Sequence, residues 1–286
     1  MNFTVKSLLI LLLLIPFFST AQVEEIYVDE DMNRMTKEQF LNNCGKSIYR
    51  CTSSVSDSLA VNILHSRFKF GRISPEVHEK LLSELYKNNE TQTDQTIVLR
   101  FVDRHLSYES YVKHELNKMN SGGYDYYIFQ NGEKKHFKGK SSVLPESWHK
   151  KNLKRYLYRE KKCIKKVSKK SNSKVFHLAK YSFDSLHEDY KGLTLIKRNN
   201  YLEDIRSSLP DSTRFVIILP KGEYFSSEFF VHPKSIIPFL NNSDWSEYKR
   251  DLKYSNSIKY KKGYGFFKSL PYRYRNYYLD YNLTCF

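Results

Sequence analysis

The sequence predicts an α/β fold, a mixed central sheet flanked by helices, with α+β as the alternative layout. Runs of β-branched and apolar residues, Thr96–Asp103 (TIVLRFVD) and Phe215–Leu219, read as strands. Stretches with apolar residues at helical spacing, Pro75–Tyr86 and Pro145–Lys170, alternate with them. Thr213–Leu240, TRFVIILPKGEYFSSEFFVHPKSIIPFL, reads as strand, tight turn, strand and short helix, the closing unit of such a sheet.

Residues 1–21 have the pattern of a signal peptide: Lys6, the apolar run Leu8–Phe18, then the small residues Ser19-Thr20-Ala21, with cleavage expected between Ala21 and Gln22. The apolar run of about eleven residues, broken by Pro16, falls short of the about 20 needed to cross a bilayer. No Cys follows the expected cut, so a lipid anchor is not expected, and no later run reaches membrane-spanning length. The expected product is exported, periplasmic or extracellular. The remaining chain suffices for one large domain or two small ones. Net charge is +16 for the 286 residues, one unit less without Lys6. Such an excess favours polyanionic partners: nucleic acid, anionic glycans, a negative membrane face or other envelope components. It also suits a merely solvated surface.

The N-terminal part, 22–90, reads as an α+β extension. IYVDE is a short strand, and Thr36 with Gln39 has the capping-box spacing of a helix start. Strands at Ser47–Ser53 and Ser58–Leu64 flank the turn-rich SSVSDS. Ser74-Pro75 opens a helix carrying Val77, Leu81, Leu82 and Leu85 on one side. The polar KNNETQTDQ then reads as a linker.

After the strand at Thr96–Asp103 comes an insertion, about 104–144. It holds a helix at Tyr108–Lys118, a break at Gly122-Gly123, and a hairpin at Tyr126–Lys138 turned by Asn131-Gly132. The long helix Pro145–Lys170 packs Leu153, Leu157, Ile164 and Val167. Between Lys150 and Lys174 twelve Lys or Arg face a single acid, Glu160. The candidate polyanion contacts are therefore Lys150, Lys151, Lys154, Arg155, Lys161, Lys162, Lys165, Lys166, Lys169 and Lys170. KVFHLAKY is the next strand, followed by an extended piece at Leu193–Ile196 and a short helix at Tyr201–Ser208. In the closing unit Phe215–Leu219 is expected inside the sheet and Tyr224–Val231 nearer an edge, where Ser226 and Glu228 meet water. Asp244 and Glu247 cap a last helix through about Tyr254. From Trp245 on there are thirteen aromatics, nine Lys or Arg and three acids. Rings alternating with cations, as in Tyr272-Arg273-Tyr274-Arg275, can stack on bases or sugars or can simply cover the core; the core role is the expectation.

Strand, long helix, strand, helix, strand, turn, strand, helix is the element order of a thioredoxin-like domain; Thr96 to about Leu240 resembles one, within an expected core of 96–255, with the match best in RFVIILPKGEYF and HPKSIIPFL. The resemblance implies a parallel first strand pair joined by a helix and a closing antiparallel hairpin, with 256–286 as an aromatic and basic tail. It departs from the redox-active members. No Cys-x-x-Cys follows the first strand, and Pro210 is early for the cis-proline that precedes the third. Disulfide exchange needs an exposed thiolate with a partner, so redox catalysis is not expected.

Export permits disulfides. Cys44, Cys51, Cys163 and Cys285 allow three connectivities; the local pair Cys44–Cys51, leaving Cys163 with Cys285, is the expectation. Zinc spacings are absent and no cofactor is expected. No P-loop, dinucleotide fingerprint, nucleophile elbow or zinc-protease motif occurs. Two His–carboxylate groupings remain as hydrolase candidates: Asp103, His105, His114 and Glu115, and Asp184, His187, Glu188 and Asp189 in FDSLHEDY. Crowding in sequence fits a solvated loop better than a catalytic site. The leading reading is a non-enzymatic binding or envelope module, with polyanion binding and hydrolysis as alternatives.

Overall fold

The computed structural model describes residues 23–56, 58–86, 94–103, 106–120, 124–130, 133–139, 143–181, 190–210, 212–229, 231, 233–257 and 259–269. The expected signal peptide, His105, the expected Gly122-Gly123 break and Asn131-Gly132 turn, FDSLHEDY apart from its last residue Tyr190, most of the expected linker and the tail from residue 270 lie outside them. The chain divides into two compact units. The smaller takes the chain to Ser66 plus Leu252–Tyr264, and the larger takes Arg67–Asp251 plus the chain from Gly265.

The smaller unit holds a three-stranded sheet, β1 (Glu24–Asp29), β3 (Leu59–Ser66) and β2 (Tyr49–Val55), in the order β1-β3-β2. β1 runs parallel to β3, and β2 antiparallel to it. Helix α1 (Lys37–Cys44) begins with the capping box read from the sequence: Thr36 Oγ1 accepts from Gln39 N, and Gln39 accepts from Thr36 N. Val28, Phe40, Ile48, Ala60 and Leu64 form its buried apolar set. Cys44 and Cys51 are joined, tying the end of α1 to β2. Lys46 is buried here, its Nζ donating to Asn43 Oδ1 and to the carbonyl of Asn256.

The larger unit is built on six strands: β4 (Phe68–Arg72), β5 (Thr96–Val102), β8 (Ser173–Ala179), β9 (Thr194–Lys197), β10 (Phe215–Ile218) and β11 (Glu223–Ser227). Their order is β4-β11-β10-β5-β8-β9. β5, β8 and β9 are parallel, while β10, β11 and β4 are antiparallel to their neighbours. This is a mixed sheet flanked by helices, an α/β architecture. β5 is buried along its whole length, as a run apolar on both faces requires. Leu99, Phe101, Phe176, Leu178, Val216 and Ile218 meet α2 (Pro75–Leu85) and α5 (Asn200–Ser207) through Leu81, Leu82, Leu85 and Leu202. Period-2 alternation sends Val102 and Ala179 into another cluster, with Leu157 of α4 (Glu146–Ser168). α6 (Pro233–Leu240) packs beside α4. The insertion forms α3 (Tyr108–Asn120) and a separate antiparallel pair, β6 (Tyr124–Gln130) with β7 (Glu133–Gly139).

Two sequence expectations change. β4 was not read as a strand, and it pairs with β11 along Phe68–Arg72. β11 therefore has a partner on both sides and stands one strand in from the edge strand β4, still nearer an edge than β10. Ser226 and Glu228, expected to meet water, are buried; Glu228 accepts from Ser212 Oγ and lies 3.6 Å from Arg67. The close β4–β11 approach depends on Gly71, where a Cβ would stand 2.4 Å from the Tyr224 ring. The β10–β11 turn depends on Gly222, with φ of 81°.

The expected last helix is α7 (Ser246–Ser255), at whose start Asp244 accepts from Ser246 N, and a short α8 (Phe266–Ser269) follows. Trp245 and Phe267 are fully buried, and Trp245 stacks on Phe239 at 4.7 Å. Phe266 likewise stacks on Phe239 at 5.3 Å. These described rings cover core, as expected.

Candidate functional site

α4 is the element on which the chain concentrates charge. Its start is held by aromatic packing: His149 stacks on Tyr111 of α3 at 5.0 Å and lies 5.6 Å from Tyr108, whose hydroxyl donates to the Leu144 carbonyl. Leu157, Glu160, Cys163 and Val167 recur at three- and four-residue intervals and form the buried stripe. Lys165 and Lys166 in the last turn suit the negative end of the helix dipole.

Glu160, the one acid among the cations, points into the core. Arg100 on β5 and His177 on β8 stand opposite each other in the parallel register. Arg100 Nη2 donates to Glu160 Oε1 at 2.8 Å, and His177 Nε2 lies 3.1 Å from Glu160 Oε2. With the carboxylate as acceptor, Nε2 carries the hydrogen. Nδ1 of His177 has no hydrogen-bond partner among the described residues. All three residues are buried. The signal for this cluster lay in the sequence: Arg100 and His177 interrupt apolar strands, and Glu160 interrupts a basic helix.

Every Lys and Arg on the candidate contact list is exposed except Lys161, which is half-buried. Only Lys150 has a carboxylate partner among the described residues, Glu146 at 2.8 Å. Lys151, Lys154, Arg155, Lys161, Lys162, Lys165, Lys166, Lys169 and Lys170 have no carboxylate partner among the described residues. Opposite the buried stripe, Lys161/Lys165, Lys162/Lys166, Lys165/Lys169 and Lys166/Lys170 repel at i,i+4 spacing.

Where the parallel strands end, Asp103 is held by Arg198 Nη2 at 2.6 Å and by Arg206 at 4.0 Å. Arg206 also lies over the Phe101 ring and donates to the Pro210 carbonyl. Sequence reading did not single out these arginines. The described partners of Asp103 are guanidinium groups, and His105 of the expected hydrolase grouping lies outside the described residues. His114 packs by Tyr181 on α3, its pKa lowered by partial burial and then by Lys118. Glu115 pairs with Lys118 at 3.3 Å. Asp184, His187, Glu188 and Asp189 lie outside the described residues.

Cys163 is disulfide-bonded, and Cys285, its expected partner, lies outside the described residues. Among the described residues no cis peptide bond occurs, and no three His, Cys, Asp or Glu side chains are grouped to hold a metal ion. No described helix is long and apolar enough to cross a membrane. Comparison of the chain with protein-family models, curated proteins and solved structures finds no match.

Proposed function

We propose that this chain is an exported, non-enzymatic binding module in which a thioredoxin-like core without redox cysteines holds α4 as a cationic surface for anionic polymers. One observation carries the reading: seven Lys and Arg of α4, with Lys169 and Lys170 just beyond its end, have no carboxylate partner among the described residues, while the helix's central acid is turned into the core. A merely solvated helix is normally laced with i,i+4 acid–base pairs. This one keeps its repulsion, which a polyanion relieves. The core assignment is supported by strand order. β5 and β8 are parallel and joined through α4, β10 and β11 form an antiparallel hairpin followed by α6, and all four strands share one sheet.

The test is binding to immobilised heparin across a salt series. Counterion release makes such binding fall steeply with salt. The charge-reversed variant Lys162→Glu/Lys165→Glu/Lys166→Glu/Lys169→Glu should lose it while keeping the wild-type circular dichroism and melting temperature. Wild-type protein that stays unbound at low salt ends this reading.

A further inference from the structure

We infer that the ligand of α4 is an anionic polysaccharide, with Trp148 and Tyr158 stacking on sugar rings between the lysines; this rests on the polyanion reading above. Trp148 is 60% and Tyr158 67% exposed, and both belong to the basic helix. Neither ring touches another ring or cation among the described residues. On a helix of 3.6 residues per turn, Trp148 stands two turns before Arg155, and Tyr158 two turns after Lys151 and about one before Lys162. Both rings therefore lie within the field of free cations. Large aromatics left in water have nothing to contribute to this helix's packing, which Leu157, Cys163 and Val167 already supply.

The same geometry separates the classes of polyanion. A helix lying in a membrane interface buries its apolar face in the lipid, and the apolar stripe of α4 is spent against its own core. Single-stranded nucleic acid is gripped by platforms for successive bases. Here the rings are ten positions apart, about 15 Å along the axis, with Lys150, Lys151, Lys154 and Arg155 among the residues between them. An acidic polysaccharide fits: charges recur along it, and the apolar face of a sugar meets a ring only at intervals.

The chain's two tryptophans give a direct readout, because Trp245 is fully buried and acrylamide quenching therefore reports Trp148. The probes are a heparin-derived oligosaccharide, polygalacturonate, neutral dextran, a thymidine oligonucleotide and phosphatidylglycerol vesicles. Expected is a blue shift and quenching protection with the two acidic glycans, none with dextran, and weaker binding of the other two. Trp148→Ala and Tyr158→Ala should each lower glycan affinity about tenfold, the scale of one lost stack, without lowering the melting temperature. Salt-sensitive glycan binding that leaves Trp148 fully quenchable and both variants at wild-type affinity overturns the stacking inference and leaves the cationic face standing. Tighter, protecting binding of the oligonucleotide or vesicles overturns the choice of polysaccharide. Failure of every probe at low salt removes both readings.

Discussion

Glu160 joins two strands to one helix through a single carboxylate. Burying Arg100, Glu160 and His177 together is costly in desolvation, and such clusters are better at fixing an arrangement than at adding stability. Glu160→Ala should lower unfolding free energy by about 3–5 kcal/mol in urea titration, because it removes the carboxylate that faces a buried guanidinium. Under about 1 kcal/mol would mean that other groups neutralise Arg100. His114 makes a pH prediction with the opposite kind of cause. Its folded pKa lies below the ordinary 6.5, so the unfolded chain binds the proton more readily. Its contribution is present above that value and is lost as pH falls through 6.5 toward the lower folded value. His114→Gln should flatten that part of the stability profile, and an unchanged profile would assign the loss elsewhere.

Elements were legible where their causes are local. The capping box at Thr36, the Ser74-Pro75 start and the Lys221-Gly222 turn were all readable because neighbours in sequence supply the bonds. β4 was not, because FKFGR is short and its partner β11 lies about 150 residues further on. Ser226 and Glu228 were also misplaced: their polarity suggested water, but both are buried, and Glu228 is met by Ser212 and Arg67, far from it in sequence. The basic residues of α4 were legible as a list. Their lack of partners was not, because that depends on where Glu160 turns. Gly222 carries a prediction at this scale. Gly222→Ala puts a Cβ 3.2 Å from the Ile73 carbonyl at a φ that L residues avoid, so it should cost at least about 1 kcal/mol, read by thermal melting. A wild-type melt would show that the turn relaxes freely.

At the scale of the molecule, the two compact units call for separate accounting. The Cys44–Cys51 bridge closes a short loop within the smaller one, with a sequence separation of 7. Cys44→Ser/Cys51→Ser should destabilise that unit by about 2–3 kcal/mol through the entropy returned to its unfolded chain. Hydrogen exchange should quicken in β2 and β3; unchanged protection there would count against the bridge as a stabiliser.

Lys46 takes on another meaning when the order of synthesis is considered. Its amine is buried against the carbonyl of Asn256, which leaves the ribosome 210 residues later, and Ser47 N likewise waits for Lys261. The first segment to be made is thus among the last to be finished, and through most of translation its sheet has no lid over that amine. A chain stopped after Asp251 should be cut by trypsin between residues 23 and 66 while the full chain resists. If it is, the nascent N-terminal segment needs protection from proteolysis until residue 264 arrives.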